Sequence, residues 1–420
     1  MLSIDFIRRN KQKVIEAAKN KGREVDLEKI ILLDEQRLDL IHQIQKLREE
    51  RNKLAKMGRP HATSESEVPR GKQIKEELKK LEKQLTINNQ QLTELLSYVP
   101  NVPMDEVPVG KDSTGNKEIK NWGNIPKFGF TPKTHIELGE SLDLIDLERG
   151  VKISGYRGYF LKNQLASLHF ALLFYVFNKL SVKGYVPIIA PAIIKGFSLF
   201  GSGQFPWGEV EVYKLNDDDA YLAGTAEVPI TAYYSGEIFN EKDLPKKFVA
   251  LSPCFRKEIG SYGKDTKGIY RVHEFWKIEQ VIIGKNDLSE ARKLHQELQD
   301  NCEEILQDLK LPFRVMLMCT GEMGEPQMIK YDTETWMPSR NAYGETMSNS
   351  IMGDFQTRRL NIKYRNQDGK TEYCFSLNNT ALASPRILIA ILENYQQKDG
   401  SVAVPKVLQP LVGFEKISPR

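Results

Sequence analysis

The sequence predicts an α+β protein, a largely antiparallel sheet with helices gathered against it, preceded by an antiparallel helical hairpin. Three observations carry this. Apolar residues in the first hundred positions recur at alternating spacings of three and four. Strand-like apolar and aromatic runs recur at irregular intervals beyond residue 104, separated by long helical segments. Neither GxGxxG nor GxxxxGK[ST] occurs, so no Rossmann or P-loop nucleotide site is signalled.

In chain order, the first arm reads Leu33, Leu40, Ile44, Leu47 and Leu54, with Arg37 and Arg51 at the missing heptad positions. Gly, Pro and Ser cluster across 57–71 as in a loop. Ile74, Leu78, Leu81, Leu85, Asn88, Leu92 and Leu95 then resume the pattern. Such a hairpin buries one seam, so it either stands away from a larger body or packs on a partner. Pro100, Pro103 and Pro108 end the second helix and begin a linker. The division expected is therefore a helical domain over 1–103 and a second domain over 104–420.

Lys and Arg total 60 and Asp and Glu 56, a net charge of +4 that excludes a histone-like polycation. Between Lys46 and Lys83 there are 12 Lys/Arg and 7 Asp/Glu, net +5, so the positive excess sits on the outer half of the hairpin. That reads equally as a solvated coiled-coil face or as an arm that tracks phosphates. The four cysteines form no CxxC pair, which argues against a disulfide framework or zinc ribbon and fits a reducing compartment. No uninterrupted apolar run reaches a membrane span, and the MLSIDFIRRNKQKV start has no signal-like apolar stretch, so neither membrane nor export is expected.

In the second domain, strands are expected over 248–251, 275–283, 313–317 and 373–377, and helices over 165–180, 288–309 and 385–397. The two runs flanking the glycine-rich 259–268 stretch read as a long hairpin. Arg256 and Glu258, at i and i+2, are expected on one strand face, and Phe275 and Glu279 likewise share a face. Alone, these charges read as a cross-strand ion pair on a solvated sheet. Ser384 is a plausible N-cap and Pro385 a plausible first helical residue. Arg386 then lies in the first helical turn, against the helix dipole, where a bound anion would turn a cost into a gain. The alternative is an arginine that reaches solvent. Glu345 and Ser348 are hard oxygen donors suited to Mg²⁺, and Thr225-Ala226-Glu227 reads equally as a capped helix start.

Together, in order, these features resemble the seryl-tRNA synthetases, a family of class II aminoacyl-tRNA synthetases. The helical hairpin, Thr225-Ala226-Glu227, the FRxE at 255–258 with its glycine-rich hairpin, His-x-Phe-x-x-x-Glu at 273–279, Glu345-x-x-Ser348, and Asn378-x-Thr380 before Arg386 all match. So do HIELGE at 135–140, GYVPIIAPAIIKG at 184–196, GSGQFP at 201–206 and DGSVAVPKVLQP at 399–410.

The resemblance implies an antiparallel class II catalytic domain behind a tRNA-binding arm. It implies a cytoplasmic homodimer with Pro191 at the interface. It would activate L-serine with ATP and Mg²⁺ and charge tRNA-Ser, and by family habit the selenocysteine tRNA. Arg256 would bind the α-phosphate and Glu258 the adenosine end, Phe275 would stack on adenine with the Val272 backbone beside it, and Lys257 would also bind ATP. Arg386 would hold the γ-phosphate. Glu345, Thr346, Met347 and Ser348 would line the nucleotide, with Glu345 and Ser348 on the metal. Thr225, Ala226, Glu227, Glu279, Asn378 and Thr380 would surround the serine. Lys264, Lys267 and Glu274 replace the usual Arg, Arg and Gln of the loop at the tRNA acceptor end. Two other readings stay open: a paralogue serving another acceptor, and a non-catalytic coiled-coil RNA-binding protein.

Overall fold

The computed structural model describes residues 1–57, 67–216, 218–259 and 267–419. It divides into two compact units, Met1–Pro100 and Asn101–Arg420.

The first unit is helical: α1 (Ile4–Arg9), α2 (Lys11–Asn20), α3 (Leu27–Met57) and α4 (Glu67–Ser97). The last two are the expected hairpin arms, 31 residues each, or about 46 Å at 1.5 Å per residue. They run antiparallel, since Arg70 pairs with Glu50 and Asn88 reaches Gln36. The heptad residues Ile44, Ile74 and Leu78 are buried in the seam, with Leu47, Leu54, Leu81 and Leu85 packed around them. Arg37 fills its heptad position by pairing with Asp34, which also takes Arg8 of α1 at 2.8 Å. That buried carboxylate fastens the short helices to the base of the hairpin. The middle of the expected loop, 58–66, lies outside the described residues.

The second unit is built on an eight-stranded sheet. Its strands in chain order are β1 (Lys117–Trp122), β2 (Val186–Ile189), β3 (Lys246–Phe255) and β4 (Glu274–Gly284), then β5 (Phe313–Leu317), β6 (Ile329–Met337), β7 (Ala342–Gly353) and β8 (Phe375–Ser384). The spatial order is β1-β5-β6-β7-β8-β4-β3-β2. All pairings are antiparallel except that of edge strand β2 with β3.

The 313–317 strand appears as expected, and the 248–251 and 275–283 strands extend further. The 373–377 strand is divided. Cys374 is buried and its N–H bonds Ile362 O, which turns the chain. Thr371–Tyr373 consequently joins a separate three-stranded sheet, while β8 begins at Phe375. β6 and β7 carry buried Thr333, Thr335, Asn349 and Ser350, so no apolar alternation announced them.

Helices α5 (Asn163–Val182), α6 (Leu288–Asp308) and α7 (Arg386–Asn394) pack on the sheet. α7 stops short of the expected 397 because Gln396 and Gln397 bond instead to the Ser401–Val402 segment. α5 is long and apolar enough to cross a membrane by length and composition. Its Leu165, Leu168, Leu172, Leu173, Val176 and Leu180 nevertheless sit in the main core.

Alternation along the strands separates two kinds of polar residue. Gln280, Asn379 and Asn349 face α6, where Asn301 donates to Gln280 Oε1 at 2.7 Å and Asn349 donates to His295 O at 2.9 Å. Their immediate neighbours Glu279, Thr380 and Ser348 face the opposite side, where a cavity opens.

Candidate active site

The cavity floor is β4. Phe275, Lys277 and Glu279 share its front face, opposite Cys254, Ser252 and Ala250 of β3. Arg256 and Glu258 do not share a strand face, because β3 ends at Phe255. A turn brings them in instead: Arg256 N donates to His273 O at 2.9 Å, and Glu258 adopts a left-handed φ of 54°. Such a conformation in a non-glycine residue costs energy and concentrates at functional sites. The Arg256 guanidinium lies 5.3 Å from the Phe275 ring centre, with its Nε donating to Gly224 O. Glu258 accepts from Arg271 at 3.1 Å and has Arg157 3.8 Å away. The Val272 backbone lines the same cavity, whereas the Lys257 ammonium sits over the Tyr213 ring.

Ser384 is not the N-cap of α7. It ends β8, and its hydroxyl is already engaged with His169 Nδ1 at 2.7 Å. Pro385 takes the cap position without a side-chain hydrogen bond. Arg386 is therefore the first helical residue and enters the cavity. It donates to Glu345 Oε2 and O at 3.0 Å and to Tyr270 O at 3.2 Å, and stacks 4.5 Å from the Tyr270 ring centre. Burial would push the Glu345 carboxyl up, but the charges of Arg386 and Lys330 outweigh it and hold it below the usual range.

Residues three apart on a regular strand face opposite sides, yet Glu345 and Ser348 both line the cavity. A bulge accounts for this. Thr333 faces Met347 and Glu334 faces Glu345, leaving Thr346 as the extra residue, tied to Thr335 Oγ1 at 2.7 Å. A second bulge at Ala381, between the Thr380–Glu279 and Leu382–Ile278 pairs, brings Thr380 and Ala383 to the same cavity. A carboxylate and a hydroxyl are hard donors with no soft ligand among them. No cluster of three His, Cys, Asp or Glu occurs among the described residues. Two protein oxygens suit Mg²⁺ shared with a phosphate chain, not a closed protein cage.

Deeper in, a buried polar cluster gathers around Lys277. Its ammonium donates to Thr225 Oγ1 at 2.6 Å, reaches Thr380 Oγ1 at 3.4 Å, and is ion-paired with Glu279. Thr225 Oγ1 donates to Glu279 Oε2 at 3.2 Å. Burial raises the Glu279 carboxyl, against the opposing Lys277 charge. Glu227 accepts from Gln356 at 2.7 Å and is pushed up to about 7, by burial first and by Glu279 second. Ala226, fully buried, precedes the helix that Glu227 begins. Asn378 is half-buried, two residues before Thr380 on the same strand face.

Of the substituted loop positions, Lys264 lies outside the described residues. At Gly268 φ is 70°, and a Cβ there would come within 2.1 Å of His135 Nε2. His135 is itself anchored to buried Glu393 at 2.9 Å, which ties the 135–140 segment to α7. Lys277, Tyr270, Arg271 and Arg157 were not singled out from sequence. For Lys277 the signal was present, since it lies midway between Phe275 and Glu279 on their shared face.

Comparison with known proteins identifies the family and the fold. A family profile described as the seryl-tRNA synthetase N-terminal domain matches residues 1–103, and the tRNA synthetase class II core domain (G, H, P, S and T) matches 210–395. The serine--tRNA ligase of Deinococcus radiodurans is 42% identical over 99% of both chains. A crystal structure of seryl-tRNA synthetase from Pyrococcus horikoshii complexed with ATP superposes with a TM-score of 0.91 at 36% identity, covering 100% of both chains. The cytoplasmic serine-tRNA ligase of Naegleria fowleri in complex with AMP gives 0.88 at 31% identity, over 100% of this chain and 99% of that one.

Proposed function

The chain belongs to the seryl-tRNA synthetase family and is a serine–tRNA ligase, and from that premise we propose how its residues divide the work. L-Serine's carboxylate attacks the α-phosphorus of ATP in line, pyrophosphate leaves, and the seryl group passes from the adenylate to tRNA-Ser. The nucleophile is already ionised, so no general base is required. Charge builds on phosphoryl oxygens, and fixed cations contribute most.

Arg256 holds the α-phosphate and Arg386 the γ-phosphate. Phe275 stacks on adenine, with Glu258 and the Val272 backbone at its edge. Glu345 and Ser348 hold Mg²⁺, which when bound neutralises charge between the phosphates. Thr225, Glu227, Glu279, Asn378 and Thr380 enclose serine. A buried acceptor left unpaired penalises alanine, so the pocket selects for the hydroxyl. The observation that carries this reading is the convergence of Arg256 and Arg386, far apart in the chain, on one cavity with Phe275 and Glu345.

The helical arm, whose outer half between Lys46 and Lys83 carries net +5, grips the long variable arm of tRNA-Ser and, in hosts that have it, the selenocysteine tRNA. The active species is a cytoplasmic homodimer. Supporting this, edge strand β2 presents Val186 at 54% and Ile189 at 81% exposure, and Phe170, Phe174, Ile193 and Phe197 are also exposed. Exposed large apolar side chains in this number favour a second copy as their cover.

Serine-dependent ATP–pyrophosphate exchange tests the assignment. Exchange with serine and not with alanine is expected; no exchange with serine, or faster exchange with another amino acid, would defeat it.

A further inference from the structure

An ammonium group has three N–H donors and no acceptor, and once buried it needs an acceptor for each. Three acceptors converge on Lys277 Nζ: Thr225 Oγ1, Thr380 Oγ1 and the Glu279 carboxylate. Lys277 is 4% exposed and Glu279 fully buried. These are the very groups assigned above to the substrate, so this inference rests on that assignment. Serine brings an α-ammonium with the same three-donor demand, and one set of acceptors cannot serve two ammonium groups. Two cations within one hydrogen-bond length in a buried pocket repel strongly.

We propose that Lys277 is a resident stand-in for the substrate ammonium, filling the empty amino-acid subsite and leaving it when serine enters. Its side chain lines the same cavity as Arg256 and Arg386. The anions that would attract the displaced ammonium are the substrate carboxylate and the α-phosphate of ATP. ATP therefore draws Lys277 outward and opens the serine subsite, and each substrate tightens the other by the same factor. The stand-in also keeps Glu279 from lying buried without a counter-charge, which would be strongly destabilising. In Lys277→Met serine itself supplies the missing cation.

The test is calorimetric titration of serine into the full-length protein, alone and with Mg²⁺ and α,β-methylene-ATP, which cannot be cleaved at the reacting bond. For the unaltered protein, the analogue should tighten serine by about tenfold or more, within the usual range of coupling between sites. Lys277→Met should bind serine alone more tightly than the parent, gain less than about twofold from the analogue, and show the larger rise in Tm on adding serine. Its exchange kcat should fall. Equal weakening of serine with and without the analogue would make Lys277 a static wall of the pocket and overturn the proposal. If Lys277→Met does not fold, Lys277→Gln and the parent's own coupling decide: serine affinity indifferent to the analogue is equally fatal. Parent protein that exchanges pyrophosphate with serine but lacks coupling sinks only the role of Lys277, whereas parent protein without exchange sinks the assignment beneath it.

Discussion

The two units of this chain handle charge in opposite ways. In 101–420 the decisive ions are hidden: the Lys277 and Glu279 side chains are 5% and 0% exposed. Along the outer half of the hairpin in 1–100 the ion pairs are open to water, with Arg48 and Glu82 at 55% and 48%. A buried charge acts through a fixed geometry in a poor dielectric, so one residue can dominate. An exposed charge is screened within about 10 Å at 0.1 M salt and acts by number. Single substitutions should therefore be severe in one unit and mild in the other.

The sharpest way to break that contrast is Arg386→Ala or Arg256→Ala. Each should reduce pyrophosphate exchange by about a thousandfold, the upper range for losing one fixed electrostatic donor at a developing charge. tRNA affinity, measured by filter binding, should stay within about twofold because the arm proposed to bind tRNA is untouched. Next comes replacing 46–83 with a short turn. Aminoacylation kcat/KM for tRNA-Ser should fall by about a hundredfold or more as the clustered cations are lost, while serine-dependent exchange persists. Charging of full-length tRNA-Ser at the parental rate would remove the arm from recognition.

The same contrast governs what the sequence disclosed. The hairpin was legible because its seam obeys one period and every apolar residue in it has the same job. β6 and β7 were not, because their buried faces carry Thr333, Thr335 and Asn349, which bond to Gln299, Thr346 and His295 instead of announcing a core. The site residues could be matched by type and order, but their convergence depends on irregularities without a compositional signal. A bulge at Thr346 rotates Glu345 onto the Ser348 side, a left-handed Glu258 replaces the expected pleat, and Ser384 spends its hydroxyl on His169. Each is set by contacts distant in sequence.

A gentler probe is ionic strength. Raising salt from about 50 to 200 mM should increase the KM for tRNA-Ser by about tenfold or more, through loss of counterion release. The KM for serine in exchange should change by less than about twofold, since its contacts are shielded from the ion atmosphere. Neutralising any one of Arg48, Lys72 or Lys79 should reduce the salt slope by about one unit at most and leave exchange untouched. A single arm lysine that abolished charging would mean the arm contains a specific contact and not a diffuse one.

The smallest effect expected sits at Glu227 and concerns stability without substrate. Its carboxyl is raised to about 7, by burial first and Glu279 second, against Gln356, Lys277 and Arg256. Between the ordinary glutamate value and about 7 the folded chain holds a proton that the unfolded chain has lost. This contribution is complete below the unfolded value and disappears as pH rises through 7, with a slope of at most about 1.4 kcal/mol per pH unit from one proton. Glu227→Gln keeps the neutral amide at every pH, so its Tm should converge with or fall below the parent near pH 5 and exceed it above 7. In the arm, Glu50 has the reverse sign: its hydrogen bond to Arg70 lowers its carboxyl, so that stabilisation is present above the ordinary value and lost as pH falls. Glu50→Gln should accordingly narrow its deficit toward acid pH while Glu227→Gln widens its advantage toward alkaline pH. Thermal unfolding of both variants from pH 4 to 8 would collapse the distinction between the units if the two difference curves had the same slope.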